Sequence, residues 1–164
     1  MPTARQKATE TKHDAIDLLT ADHAEVDKLF KQFEQMTDAE GADEEKAHCV
    51  AEICAALTVH ATIEEQIFYP AARKALEEDD LLDEAEVEHE GVKRLVAELE
   101  EMSPGDDLYD AKVTVLGEYV KHHVREEEDE MFPKVKKAKI DTVALGVRMA
   151  AQKKELQGEL PVEV

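Results

Sequence analysis

Apolar residues recur along this chain at steps of three and four, the pattern of helices that each bury one stripe. Ile16, Leu19, Val26, Leu29, Phe30 and Phe33 mark a first helix over about Asp14 to Met36. Thr37 to Asp43 reads as a turn around Gly41. Val50, Ile53, Leu57, Ile63 and Ile67 then mark a second helix from about Glu44 to Tyr69, which Pro70 is expected to end or kink. Ala71 to Asp80 reads as a connection holding a short helical piece. A third helix spans about Leu81 to Met102 and breaks at Ser103-Pro104-Gly105. Leu108, Val113, Leu116, Val120 and Val124 line a fourth, from about Asp107 to Met131, closed by Pro133. A lysine-rich stretch (Lys134, Lys136, Lys137, Lys139) complements the negative end of that helix. Val143, Val147 and Ala151 form the stripe of a fifth helix over about Thr142 to Leu156. The expected organisation is a flexible N-terminus (1–13), a helical bundle (14–133), and a basic connection with C-terminal helix and tail (134–164).

Composition agrees with an all-α chain. Of 164 residues, 43% are hydrophobic, 37% charged and only 4% aromatic, a mix that favours helices over sheets. The net charge of −20 repels phosphate backbones and anionic lipid, so neither nucleic acid nor membrane is an expected partner. No apolar run approaches the roughly 20 residues that cross a bilayer, and the first residues lack the apolar centre of a signal peptide, so a cytoplasmic location is expected. Cys49 and Cys54, five residues apart on one helix, diverge too far around its axis for a disulfide and read as core fillers.

The chemistry lies in a duplication. His60 and Glu64 stand ten and six residues before Pro70, and His123 and Glu127 stand ten and six before Pro133. Each pair follows a second matched block, DHAEVDKLF around His23 and EHEGVKRLV around His89. The chain is two helical hairpins, each carrying two histidines and one glutamate. Counting residues from each turn at about 1.5 Å rise puts the two histidines of a hairpin within roughly 5 Å of one level. All four share one layer provided the second helix effectively ends at Pro70. His23, His60, His89 and His123 lie on apolar stripes, and Glu64 and Glu127, four residues after their histidines, turn inward with them. A single histidine on such a stripe is an ordinary core residue. Two unpaired carboxylates in a bundle core would be very costly, and a pair of metal ions neutralises them. Imidazole and carboxylate without thiolate point to iron, zinc, manganese or nickel. Open coordination positions favour two iron ions bridged by the two carboxylates at about 3.5–4 Å, ahead of zinc or manganese.

The order His23, His60-x-x-x-Glu64, His89, His123-x-x-x-Glu127 resembles the hemerythrin-like, HHE cation-binding family over about Asp14 to Pro133. The resemblance implies an antiparallel up-down four-helix bundle around a non-haem di-iron centre, here with an additional C-terminal helix. Oxygen-carrying hemerythrins place a histidine four residues after the one matching His89, where this chain has Lys93. They also place a bridging aspartate five residues after the one matching His123, where Glu128 stands and Glu127 fits the repeat instead. Two histidines and one glutamate per iron are more similar to reactive di-iron relatives. The expected function is binding or sensing of dioxygen, peroxide or nitric oxide. The alternatives are a di-iron enzyme that decomposes hydrogen peroxide or reduces nitric oxide, and an iron donor for iron–sulfur repair. A monomer or weak dimer is expected. The ferritin-like class uses Glu-x-x-His, the opposite order, and does not fit.

Tyr119, one turn before His123, is the expected site-tuning residue behind the ligands. His122 points about 100° away from His123 and reads as boundary or surface. His13 and His48 read as solvated.

Overall fold

The structure, a computed structural model, describes residues 14–37, 41–77 and 79–159. The flexible segment expected over 1–13, with His13, lies outside the described residues, as does the end of the tail after 159. Helix α1 (Ala15–Met36) starts at Asp14, whose Oδ1 accepts the Ile16 amide at 2.9 Å and satisfies one of the free N–H groups of the first turn. Helix α2 spans Asp43–Ile63, and α4 and α5 span Asp79–Glu100 and Tyr109–Glu126. These four form the bundle, α1 packing on α2 and α4 on α5.

The prolines do not end their helices. A five-residue π-helical turn, Glu64–Phe68, follows α2, and the chain runs on as α3 (Tyr69–Leu76). Its twin, Glu127–Met131, follows α5 and leads into α6 (Phe132–Lys137). In the wider turns, the amide of Tyr69 reaches back to the Glu64 carbonyl and that of Phe132 to the Glu127 carbonyl. Pro70 and Pro133 come next, in the opening positions of the following helix, where a missing N–H costs least. Ending the second helix at Pro70 was therefore not needed to bring the histidines to one layer. The chain runs on through the wide turns instead, and α3 packs against α4 and α6.

Two further expectations change. Helix α5 begins at Tyr109 because the Asp106 side chain accepts the Ser103 amide and the Asp106 carbonyl accepts the Tyr109 amide, extending the loop. Leu108 is left at φ 70 with 67% of its surface exposed. Helix α7 (Thr142–Glu159) buries Leu145 and Met149, while Val143 and Val147 face outward. Both stripes have helical spacing, and the larger side chains take the core. Helix α7 lies along α1 and α2, its first residue Thr142 bonded to Asp14. Cys49 and Cys54 are free and buried, as expected.

Among the described residues the interior has two apolar clusters. One gathers Leu19, Ile63, Phe68, Leu82, Met131, Val135 and Met149 around the π turns. The other gathers Phe30, Ile53, Val96, Val113 and Leu116 toward the hairpin ends. Between them lies a layer of histidine and glutamate.

Candidate metal centre

Helix α1 supplies His23 to this layer, α2 His60, α4 His89 and α5 His123. Glu64 and Glu127 are the first residues of the two π turns. All six are buried, Glu64 completely and Glu127 to 1% exposure. The His23 and His60 rings lie 5.0 Å apart and those of His89 and His123 4.8 Å apart, so each hairpin forms one half-site. Glu64 Oε1 is 2.9 Å from His60 Nε2 and 3.3 Å from His89 Nε2. Glu127 Oε1 is 3.0 Å from His123 Nε2 and 3.4 Å from His23 Nε2. Each carboxylate thus touches one imidazole from each half-site, the arrangement of a bridge.

The donor atoms fit metal rather than each other. His23 Nε2, His60 Nε2, both oxygens of Glu64 and Glu127 Oε1 are buried without a hydrogen-bond partner of acceptable geometry. Buried polar atoms are rarely left so, because each costs about 1–3 kcal/mol. Two ligands held about 2.0–2.2 Å from one ion stand about 3.0–3.4 Å apart, and these contacts fall in or close to that range. The atoms of His23, His60, Glu64 and Glu127 form one group within ligand distance, and those of Glu64, His89 and His123 a second.

Behind each imidazole stands another carboxylate. His60 Nδ1 donates to Asp22 at 3.0 Å, His123 Nδ1 to Glu88 at 3.0 Å and His23 Nδ1 to Glu128 at 3.0 Å. Glu65 lies 3.4 Å from His89 Nδ1. The partners of His23, His60 and His123 orient these rings with Nε2 inward, whereas His89 Nδ1 is buried without a hydrogen-bond partner of acceptable geometry. The four outer acids are the sequence neighbours of the ligands, Asp22 and Glu88 before the first histidines and Glu65 and Glu128 after the glutamates. The sequence reading missed them, although Asp-His and Glu-His, and the paired glutamates, repeat in register. Asp22 is in turn held by Lys153 of α7 at 2.6 Å, and Glu65 by Lys93. Lys93, at the position where oxygen carriers have a histidine, braces an outer acid instead.

Electrostatics follow from this burial. Burial opposes a charged His60, but Glu64, Asp22 and Glu127 override it and push its pKa up to about 10. Burial likewise opposes a charged His123, and Glu127, Glu88 and Glu64 push it up to about 11. Glu64, which burial alone would raise, is held well below the usual carboxylate range, chiefly by the charge of His60 beside it. Without metal, the raised pKa values of His60 and His123 favour positive charge beside the buried Glu64 carboxylate.

The tyrosine at the centre is Tyr69, not Tyr119. Tyr119 is 45% exposed and lies over Gly91, because α5 turns that face toward the surface of α4. The Tyr69 hydroxyl sits 2.9 Å from His123 Nε2, 3.1 Å from His89 Nε2 and 3.3 Å from Glu127 Oε2, to which it donates. Burial and the charges of Glu64 and Glu127 hold its pKa well above the usual value. Its counterpart in the repeat is Phe132, parallel to His23 at 6.0 Å, so a phenol touches only one half-site. The signal was the FYP and MFP pair, in which Tyr and Phe hold one position. On the other side of the layer a cavity of about 30 Å³ is lined by Val26, Leu57, Val92, Val120 and Val124 beside the four histidines. His122 and His48 are surface residues, 68% and 64% exposed at the side chain.

Residues 14–135 match the hemerythrin HHE cation binding domain. A solved HHE cation binding domain-containing protein from Mycobacterium kansasii is 26% identical, with a TM-score of 0.73 and 88% of each chain covered. A DNA nickase from Nostoc sp. strain PCC 7120 is 31% identical over 120 residues, 73% of this chain but only 33% of that protein.

Proposed function

The chain belongs to the hemerythrin HHE cation-binding family, and on that footing we propose that it carries two iron ions which bind dioxygen, peroxide or nitric oxide. His23 and His60 would hold one ion, His89 and His123 the other, and Glu64 and Glu127 would bridge them. The reading is carried by the six buried residues, five atoms of which have no hydrogen-bond partner in the protein. A ferrous pair held there would supply up to two electrons to a small ligand bound beside it. The surrounding residues limit what can approach. The mainly apolar cavity of about 30 Å³ beside the four histidines is of a size for a small molecule such as dioxygen, nitric oxide or peroxide. With metal bound, the outer acids would hold the Nδ1 protons of His23, His60 and His123 and aim each Nε2 inward, and Tyr69 holds a proton against Glu127.

A second reading, consumption of peroxide by turnover, is favoured by Tyr69. A phenolic proton at hydrogen-bond distance from Glu127 and two ligand histidines is positioned to accompany reduction of a bound oxygen species. The nickase activity is not proposed for this chain, which spans about a third of that relative and carries a charge of −20. Among the described residues no helix is long and apolar enough to cross a membrane.

Metal analysis of protein from iron-replete cells, with its ultraviolet–visible spectrum before and after peroxide, tests the proposal. Two irons per chain and a peroxide-dependent absorption change are expected. Stoichiometric zinc with a featureless spectrum would sink it. Sustained oxygen evolution from peroxide, lost in Glu127→Ala while the protein still folds, would select the enzyme over the binding module.

A further inference from the structure

Glu88 uses only one of its oxygens on the buried centre. Oε1 accepts from His123 Nδ1 at 3.0 Å, whereas Oε2 points outward and lies 3.3 Å from His122 Nε2. Glu126 Oε1 lies 3.0 Å from the same nitrogen. One donor atom from each of the three side chains falls within 4.8 Å of the others. His122 is exposed and the two glutamates are partly so, which leaves room for water on an ion bound there.

The duplication shows what this outer position does in the other hairpin. Asp22 is the counterpart of Glu88, and its outer oxygen meets a cation, the Lys153 ammonium of α7, at 2.6 Å. Val59 and Ile63 are the counterparts of His122 and Glu126, and both are buried. In the second hairpin an imidazole and a further carboxylate stand at those places. The same outer position is thus balanced by an ammonium in one half, and in the other is bordered by an imidazole and a second carboxylate.

We propose that Glu88, His122 and Glu126 form a solvent-facing site for a divalent transition-metal ion, separate from the buried pair. Imidazole with two carboxylates suits zinc, manganese or ferrous iron rather than calcium. Separations of 3.0 and 3.3 Å are those of two ligands about 2.0–2.2 Å from a shared ion. Because Glu88 also orients His123, an ion here draws on the carboxylate that positions an inner ligand, and this coupling rests on the buried centre proposed above.

The test is a Zn²⁺ titration, by calorimetry, of the full chain already carrying two tight equivalents of zinc. Wild type should bind one further, weaker equivalent. His122→Asn and Glu126→Gln should each weaken that event at least tenfold and leave the two tight equivalents and the helical circular dichroism unchanged. An additional event that persists unaltered in both variants, or no saturable additional event in wild type, would overturn the proposal. Failure of the buried centre reads differently, as fewer than two tight equivalents in every variant while the His122-dependent event remains.

Discussion

Loading the buried centre must expel protons, and the structure sets how many. His60, pushed up to about 10, and His123, pushed up to about 11, both carry a proton at pH 7 in the metal-free protein. Each must lose it for Nε2 to bind an ion. Glu64 is already ionised and contributes none. Binding two divalent ions should therefore release about two protons, and the product of the two association constants should rise about 100-fold per pH unit between pH 7 and 9. Calorimetric titration in buffers of different ionisation enthalpy measures the number directly. If Tyr69 joined the coordination as phenolate, a third proton would appear. Release of fewer than one proton, or an affinity flat over that range, would refute the idea that imidazolium charge balances the empty carboxylates.

Other expectations follow from the same contacts. In metal-free protein the raised pKa of His60 stabilises the fold fully below the ordinary histidine value of 6.5 and loses that contribution as pH climbs toward about 10. The depressed Glu64 contributes above 4.5 and fades as pH falls below it, so urea midpoints of metal-free protein should peak between those two values and decline on either side. A midpoint still rising through pH 9 would contradict this. Asp22→Asn removes the acceptor that orients His60 and should weaken metal binding about 10- to 100-fold, with competition against a chelator as the readout. Lys153→Met should do the same more weakly. Phe68, fully buried between Tyr69 and Phe132, should cost about 3–5 kcal/mol when changed to Ala, measured by denaturant unfolding of metal-free protein.

The fold and the gathering of four histidines and two glutamates in one layer were legible because both repeat at fixed spacing. His60 and Glu64 share a face whatever follows them, so simple helical geometry placed them correctly. Tyr69 could not be placed that way, since its direction depends on the extra residue in the π turn and not on a regular count from His60. Tyr119 was favoured because it lies one turn before His123, yet a helix in a bundle has two flanks, and α5 turns that one over Gly91. Val143 and Val147 lost to Leu145 and Met149 for a related reason: periodicity offers two stripes and packing volume decides between them. The outer acids were in plain view beside each ligand, and charge abundance hid them, since 40 acidic residues make any one carboxylate look like solvated surface.

The π turns make this chain tolerant of a change in its own length. Glu64 and Tyr69 are joined across five residues, as are Glu127 and Phe132. Five residues of a π turn cover nearly the same rotation and rise as four of an α-helix, so each turn takes up one residue more than a regular helix would need. Removing one residue from 65–67 would let an ordinary α-helical turn close while leaving Tyr69, Pro70 and α3 in nearly their present directions. A single deletion is therefore expected to be milder here than in the middle of α2, where it would turn everything after it by about 100°.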